Sequence, residues 1–330
     1  MLARDMGAGN VLGPVSVELR KRGHDVFLLA EEGGQAMNRL QVPFQVADEA
    51  ALEKLLLAQK PSVIVTGLSS PRMLETRLDQ YAECRNVPLV HIEDYWGAHV
   101  RSPVLADLVI TIDETAKRLV RAARQESRVA VAGFAGIAPV TPRPSLIEKF
   151  DAIRKTGGKI LVYPDGGEEC QFALPMLVDS ILLSETPIYL ALKIHPKFKT
   201  VPHPSGTGTW DDWCQTKIHP LRERARVLDL SEPTDEVVEA ADGVASCYST
   251  LLIRPAAKGK VAITLWDRII ERLLKRETGL DQTPLMLTGQ YPVLDGVRSL
   301  DDFFAVTWPA LDLKPFNASI AADAIEELVS

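Results

Sequence analysis

The sequence predicts an α/β fold made of two Rossmann-like domains, each a doubly wound parallel sheet. Three observations lead to this prediction. Short β-branched apolar runs alternate with amphipathic segments, as in parallel sheets covered by helices on both faces. A proline-rich passage, APVTPRPS at 138–145, interrupts the alternation, which then starts again. The 330 residues are 46% apolar and 25% charged, which is enough for two domains with separate cores.

The expected strands of the first half are near-continuous apolar runs, which is typical of strands buried on both faces. They cover residues 25–30, 62–67, 88–93, 107–112 and 128–133. The amphipathic segments between them predict helices at residues 14–22, 49–59, 72–85 and 114–124. This βαβ series predicts a parallel sheet.

The chain opens with a glycine-rich stretch, MLARDMGAGN. Gly7 and Gly9 predict a turn ahead of the first helix, where free backbone N–H groups and the helix dipole can bind an anion. Only residues 1–4 are left for a strand before this turn. Three interpretations stay open: the strand is very short, it begins upstream of Met1, or the glycines form an ordinary loop.

The second half repeats the pattern of the first. Its expected strands cover residues 158–164, 188–194, 226–230, 243–246 and 261–265. We expect the domains to span residues 1–140 and 141–313, with a C-terminal helix in 314–330 that returns to the first domain. Two such domains facing one another place ligands in the cleft, at the carboxyl ends of the strands.

Composition limits the possible partners. The net charge of −7 argues against nucleic acid, because neutralising its phosphates needs a concentrated basic face. The cysteines are widely spaced, in neither a zinc nor a redox pattern, and the N-terminus lacks a signal peptide. We therefore expect a cytoplasmic protein with reduced thiols, and neither a metal nor a cofactor.

Four motifs follow one another at the expected strand ends: GAGNVLGPVSVELRKRGHDV, VAVAGFAG, LKIHPKF and EVVEAADGVASCYSTLLIRPAAKGKVAIT. In this order they resemble the GT-B glycosyltransferase superfamily, which includes non-hydrolysing UDP-N-acetylglucosamine 2-epimerases and CDP-glycerol glycerophosphotransferases. The resemblance covers most of the chain. It implies an acceptor domain, a nucleotide-binding second domain, a nucleotide-activated donor, a glycan or lipid-linked acceptor, and a homodimer. It also implies a full buried strand before the glycines, so the chain looks clipped or unusually short at its start.

The second domain carries the expected nucleotide site. Ser249 and Thr250 follow a predicted strand, where hydroxyls and unpaired N–H groups can hold a diphosphate without a metal. The resemblance makes this the family's phosphate position. Arg254 departs from the pattern, because many relatives have an acidic residue there that holds the ribose. The alternative is that Ser249 only caps a helix.

Two other loops of this domain add candidates. In LKIHPKF the proline fixes the backbone after His195, and the resemblance implies that His195 contacts the phosphates or leaving group, with positive charge from Lys193 beside it. In YPDGGEE, Gly166 and Gly167 permit close backbone approach, and Asp165 can meet sugar or base hydroxyls. A plain turn before a helix is the alternative there. The catalytic histidine of the epimerases is absent from this loop.

The stretch VHIEDYWGAH predicts the acid–base groups of the first domain. Its His-x-Glu matches an epimerase pattern at Glu93. Desolvation by the following Tyr95 and Trp96 can raise the pKa of Glu93 or Asp94 and make it a general base for an acceptor hydroxyl. His99 is the competing base. The two aromatic rings either stack on a sugar or pack in the core.

A basic segment at residues 117–128 either contacts an anionic membrane from the cytoplasmic side or is a solvated face.

Three functional hypotheses remain. The first is a metal-independent glycosyl or glycerophosphoryl transferase of surface polysaccharide or glycan synthesis. The second is a non-hydrolysing nucleotide-sugar 2-epimerase, and the third is a non-catalytic protein that keeps the fold.

Overall fold

The computed structural model describes residues 1–31, 34–70, 72–164, 167–194, 198, 201–206, 208–228 and 232–330. Its packing divides the chain into two compact units. Unit 1 comprises residues 1–138, 277–279 and 313–330, and unit 2 comprises residues 139–276 and 280–312. Each unit is a parallel sheet with helices packed against it, which confirms the predicted α/β class. The roles expected for the two domains stay predictions.

The sheet of unit 1 has seven strands among the described residues, in the order β3-β2-β1-β4-β5-β6-β7. These are β1 Leu2–Ala3, β2 Leu29–Ala30, β3 Gln45–Val46, β4 Ile64–Thr66, β5 Leu89–Ile92, β6 Leu108–Thr111 and β7 Arg128–Val131. In this parallel sheet Leu2 pairs with Leu29 on one side and with Thr66 on the other. The strand order reverses between β1 and β4, which is where doubly wound folds bind ligands.

Helices cover both faces of this sheet. They are α1 Met6–Lys21, α2 Gly34–Arg39, α3 Glu49–Ala58, α4 Leu74–Arg85, α5 Glu114–Ala123 and the C-terminal helix Ala318–Val329. Helix α1 and the C-terminal helix share one core, where Leu12 and Val15 lie in the same cluster as Ile325. The other face buries Leu52 of α3 and Leu78 of α4. The strands inside the sheet, β1, β2, β4, β5 and β6, are therefore buried on both sides, as predicted.

The sheet of unit 2 repeats this topology, in the order β10-β9-β8-β11-β12-β13. Its strands are β8 Lys159–Tyr163, β9 Ile188–Leu192, β10 Ala225–Val227, β11 Gly243–Ser246, β12 Val261–Leu265 and β13 Val293–Leu294. The helices in this part of the sequence are α6 Pro144–Arg154, α7 Cys170–Leu183, α8 Trp210–Ile218, α9 Thr234–Ala240, α10 Ile253–Ala256, α11 Arg268–Thr278, α12 Pro284–Thr288 and α13 Asp301–Ala305. The order again reverses between the first strand of the unit, β8, and the fourth, β11.

The predicted glycine turn is wrong, and so is the helix start at residue 14. Helix α1 begins at Met6, so Gly7 and Gly9 lie in its first turns. Asp5 caps this helix by accepting a hydrogen bond from the Ala8 N–H at 2.9 Å. The buried residues Ala8, Val11, Leu12, Val15 and Leu19 form an apolar stripe with helical spacing. This stripe and the cap outweigh the low helix propensity of glycine.

Several elements are shorter than predicted or were not predicted at all. In the expected strand 25–30 only Leu29 and Ala30 pair, because their neighbour β1 has two residues. The edge strand β3 was missed since both of its side chains are exposed, which removes the apolar alternation. Helix α2 and strand β13 were also missed.

Candidate functional site

Buried polar groups concentrate where the strands of unit 1 end. One cluster surrounds Asp79 of α4, whose side chain is fully buried. Its carboxylate accepts hydrogen bonds from Thr66 Oγ1 at 2.9 Å, His91 Nε2 at 3.0 Å, Ser102 Oγ at 2.7 Å and the Arg72 guanidinium. Burial acts to raise the pKa of Asp79, but the hydrogen bonds from His91 and Arg72 outweigh it and lower the pKa to about 2.

His91 therefore belongs to a buried ion cluster. A carboxylate only accepts, so the Nε2 of His91 carries the proton in this contact. Burial lowers the pKa of His91, although Asp79 opposes the shift. His91, the histidine of the His-x-Glu pattern, is 1% exposed. Its hydrogen bond orients the carboxylate of Asp79 within the fold.

Glu93 comes directly after β5 and is also fully buried. One of its carboxylate oxygens accepts hydrogen bonds from the His99 backbone N–H at 3.0 Å and from His99 Nδ1 at 2.8 Å. The other oxygen accepts a hydrogen bond from Thr111 Oγ1 of the neighbouring strand β6. The structure thus brings Glu93 and His99 together, and each restricts the orientation of the other.

Asp94 has a different environment from Glu93. Its Oδ1 is buried and has no hydrogen-bond partner among the described residues. Burial, and next the nearby charge of Asp5, raise the pKa of Asp94 to about 7, although Arg101 opposes this shift. A Cβ added at Gly7 would lie 1.7 Å from Asp94 Oδ2. Gly7 therefore leaves room for the carboxylate of Asp94 at the start of α1.

Glu75 of α4 is a site residue that the sequence prediction missed. Its buried carboxylate accepts hydrogen bonds from the N–H of Ser69 at 3.0 Å and from its hydroxyl at 2.9 Å. Burial raises its pKa to about 7, while Arg72 opposes the shift and Asp5 adds to it. Glu75 and Asp79 are four residues apart in α4, so both lie on one face. That face also buries Leu78. An apolar residue on the same face as the two acidic ones was the sequence signal that this face is buried.

The aromatic pair after β5 packs in the interior. Trp96 is 1% exposed, lies against Phe134 with ring centroids 5.2 Å apart, and donates from Nε1 to Asp113 at 3.1 Å. Tyr95 is 7% exposed. The two rings were expected either to stack on a sugar or to pack in the core, and Trp96 packs in the core.

In unit 2, Ser249 and Thr250 lie just after β11. Ser249 Oγ accepts a hydrogen bond from the Leu251 N–H at 3.2 Å and caps a short 3-10 segment, Thr250–Leu252. A cap uses the hydroxyl oxygen as acceptor, so the O–H can still donate to a ligand. Both residues are partly exposed. Arg254, five residues after the cap, is buried with its guanidinium 3.7 Å from a Glu239 carboxylate oxygen.

The other candidates of unit 2 are only partly described. Lys193 is 5% exposed and its ammonium donates to the Glu232 carbonyl at 2.8 Å. Gly167 is buried, and a Cβ there would lie 2.6 Å from a Glu169 carboxylate oxygen. His195, Asp165 and Gly166 lie outside the described residues.

Two basic residues of the segment 117–128 form ion pairs within unit 1, and a third donates to a backbone carbonyl. Lys117 pairs with Glu114 at 3.1 Å, Arg124 donates to the Ser102 carbonyl at 2.6 Å, and Arg128 lies 3.4 Å from Glu327. Within the described residues, no helix has both the length and the apolar composition needed to cross a bilayer. The four cysteines are free thiols.

The sequence and the fold were compared with those of known proteins. No family model matches the sequence, and no curated protein matches it. Solved structures do match. The UDP-GlcNAc 2-epimerase of Neisseria meningitidis bound to UDP-GlcNAc has a TM-score of 0.65 at 12% identity, over 99% of this chain and 97% of that one.

Two further structures show the same likeness. The UDP-GlcNAc 2-epimerase of Methanocaldococcus jannaschii, in complex with UDP-GlcNAc and UDP, has a TM-score of 0.63 at 13% identity, over 99% of this chain and 98% of that one. A glycosyltransferase from Rickettsia africae has a TM-score of 0.55 at 11% identity, over 99% of this chain and 86% of that one. This protein therefore has the fold of the GT-B superfamily, as its motifs predicted.

Proposed function

We propose that this protein is an enzyme that binds a UDP-activated sugar and transfers the sugar to an acceptor hydroxyl. The observation that carries this proposal is the state of Asp94. Its Oδ1 is buried without a partner, and its pKa is raised to about 7. A general base is most effective when its pKa lies near the working pH and its oxygen is available to accept a proton.

Asp94 suits this role better than its neighbours Glu93 and His99. Both oxygens of Glu93 already accept hydrogen bonds, from His99 and Thr111. The Nδ1 of His99 is already hydrogen-bonded to Glu93, and His99 is only 3% exposed. We therefore assign Asp94 the transfer of the proton and Glu93 and His99 the positioning of the loop that follows β5.

The proposed nucleotide site is the loop after β11 in unit 2. Solved structures with this fold contain UDP or UDP-GlcNAc, and their likeness supports a UDP-sugar as the ligand. The hydroxyls of Ser249 and Thr250 would donate to the diphosphate. His195 stays a prediction as the group that stabilises the charge of the leaving UDP, because it lies outside the described residues.

The reaction would move the anomeric carbon of the sugar from the diphosphate to the acceptor oxygen. Asp94 takes the proton of the acceptor hydroxyl while that oxygen forms a bond to the sugar. The bond between the sugar and the diphosphate breaks, and the electron pair leaves with UDP. Donors aimed at the diphosphate stabilise the charge that develops there.

A second candidate is epimerisation of the sugar at C2. It is favoured by the likeness to two UDP-GlcNAc 2-epimerases. The absence of a histidine in the loop YPDGGEE, where the resemblance implies a catalytic one, counts against it.

Incubation with UDP-GlcNAc, followed by NMR of the sugar, separates these candidates. A transferase leaves the sugar unchanged without an acceptor and forms UDP when a glycan or lipid-linked acceptor is added. An epimerase produces the C2 epimer without any acceptor. If the protein neither binds nor converts UDP-GlcNAc or other nucleotide sugars, both proposals are wrong and a non-catalytic role is favoured.

Membrane contact through residues 117–128 and a homodimer stay proposals beside this function. The ion pairs of Lys117 and Arg128 leave less free charge for a lipid surface than the sequence indicates. Sedimentation with vesicles containing anionic lipid, at low and at physiological salt, tests the contact. Equal sedimentation with neutral vesicles would contradict it.

A further inference from the structure

Tyr95 comes directly after Asp94 in the loop that follows β5, and the proposed function gives it no role. Tyr95 is 7% exposed. Its hydroxyl is buried and has no hydrogen-bond partner within the part of the chain that the structure describes. A buried tyrosine hydroxyl usually has a partner, because burial removes its hydrogen bonds to water. The fold alone therefore gains nothing from this hydroxyl.

Two other buried aromatic residues show the usual arrangement. Trp96, the next residue, donates from Nε1 to Asp113 at 3.1 Å. Tyr291 of unit 2 is 6% exposed, and its hydroxyl donates to the Ala256 carbonyl at 2.9 Å. Each of these polar groups serves the fold. The hydroxyl of Tyr95 differs from both, which favours a partner that a ligand supplies.

The loop holds the ring of Tyr95 in a defined place. The ring meets that of Trp96 edge-on, with centroids 6.1 Å apart and planes at 89°. The Tyr95 carbonyl accepts a hydrogen bond from the Ala98 N–H at 3.2 Å. Two residues earlier, the Glu93 carboxylate is fixed by His99. A group that is positioned in advance by packing and hydrogen bonds loses less freedom when it binds a ligand.

Tyr95 and Asp94 lie within range of the same charge, that of Arg101, whose guanidinium donates to the Leu68 carbonyl at 2.7 Å. Burial raises the pKa of both groups, and the charge of Arg101 opposes the shift at both. At neutral pH the phenol therefore keeps its proton and can donate. Asp94 Oδ1, which also has no partner among the described residues, can accept. Unit 1 thus presents a donor and an acceptor on consecutive residues.

We propose that Tyr95 binds the acceptor by donating a hydrogen bond from its hydroxyl to an acceptor oxygen that neighbours the hydroxyl deprotonated by Asp94. This inference rests on the proposed function. It narrows the acceptor to a sugar or another polyol, because an isolated hydroxyl engages only one of the two groups. A polar group that is paired only in the complex discriminates against ligands that leave it unpaired. Rotation of the side chain, which is common when partners bind, brings the hydroxyl to the ligand.

Tyr95→Phe tests this proposal, because it removes the hydroxyl and keeps the ring. With UDP-GlcNAc as donor and a panel of methyl glycosides as acceptors, we expect kcat/KM for the acceptor to fall roughly tenfold or more, while UDP affinity does not change. The Tm should stay at or above that of the wild type, because the unpartnered hydroxyl is gone. A lower Tm, or transfer at the wild-type kcat/KM, would contradict the proposal.

Tyr291→Phe is the matched control, since its hydroxyl is paired within the fold. This variant should lower Tm by roughly 2 °C or more and leave kcat/KM for the acceptor near the wild-type value. The expected effects of the two variants are therefore opposite. If both variants lose stability and neither loses acceptor recognition, the Tyr95 hydroxyl serves the fold and the proposal is wrong.

Monodeoxy analogues of the best methyl glycoside locate the hydrogen bond. If Tyr95 donates to one hydroxyl, losing that hydroxyl and losing the phenol should each lower kcat/KM, and the two losses should not add. Losses that add for every analogue would overturn the role of Tyr95 alone. A wild-type protein that transfers the sugar to none of the glycosides would instead contradict the proposed transfer itself, and the role of Tyr95 with it.

Discussion

The two units share one topology but differ in the chemistry at the carboxyl ends of their strands. In unit 1 this edge is rich in buried carboxylates, including Glu75, Asp79 and Glu93. In unit 2 the described residues after β11 offer hydroxyls, from Ser249 and Thr250, and a short helical segment. The same strand order therefore presents buried carboxylates in one unit and hydroxyls in the other, since loops and not strands carry the reactive groups. The acid–base role of the first and the anion-binding role of the second are our proposals.

The carboxylates of unit 1 also differ among themselves. Asp79 is stabilised as an anion by Arg72 and His91, and its pKa is lowered to about 2. Burial dominates at Glu75 and Asp94, whose pKa values are raised to about 7. Asp79 thus serves the fold, whereas a group that changes its protonation near neutral pH is available for proton transfer.

The largest expected effect is on stability, from Asp79→Ala. This change removes the hydrogen-bonded carboxylate partner of the buried Arg72 and leaves only Glu75, 3.6 Å away, to compensate its charge, which costs about 3–5 kcal/mol of unfolding free energy. Urea unfolding measures it. Gln80→Ala, an exposed change on the same helix, is the control and should have little effect. A loss below 1 kcal/mol for Asp79→Ala would show that the buried ion cluster does not stabilise unit 1.

Glu93→Gln separates positioning from catalysis at the end of β5. The amide loses part of the hydrogen bonding from His99 and Thr111, so we expect a loss of about 1–3 kcal/mol in unfolding free energy. Turnover should fall less than in Asp94→Asn. A turnover loss of 10²–10⁴ with unchanged stability would instead identify Glu93 as the base.

Changing Ser249 and Thr250 together to alanine tests whether their hydroxyls bind the diphosphate. We expect UDP affinity to weaken by about 1–3 kcal/mol, measured by calorimetry, while the fold stays intact. Ser145→Ala, at an exposed position of the same unit, is the matched control. Unchanged UDP affinity in the double variant would show that Ser249 only caps the helical segment and does not bind the diphosphate.

The raised pKa of Asp94 also predicts a pH dependence of stability. The pKa of Asp94 is raised from 3.8 to about 7 in the folded protein, so the folded state binds more protons than the unfolded state between these values. Its contribution is therefore present at low pH and is lost as pH rises through 7. Asp94→Asn should gain unfolding free energy relative to the wild type between pH 5 and pH 8. A constant difference would contradict the raised pKa.

Most strands of the two sheets could be predicted, because an apolar run is visible in the local sequence; β3 and β13 were not. The helix at Gly7 and Gly9 could not, because tertiary burial of its apolar stripe outweighs glycine propensity. The Asp79 cluster was not predicted either. Leu78 on the same helix face was a signal of burial, but the partners that stabilise the buried carboxylate, His91 and Ser102, come from other elements. Asp94 was predicted as a candidate base, but its environment appears only in the structure.

The measurement that tests the proposed function most directly compares turnover and UDP affinity in Asp94→Asn. The substitution preserves volume and removes a group that can accept a proton. The account predicts a loss of about 10²–10⁴ in turnover with UDP affinity unchanged, because it assigns nucleotide binding to unit 2. Asp302→Asn, an exposed change, should alter neither quantity. Turnover near the wild-type rate, or a loss of UDP affinity, would contradict the assignment of proton transfer to Asp94.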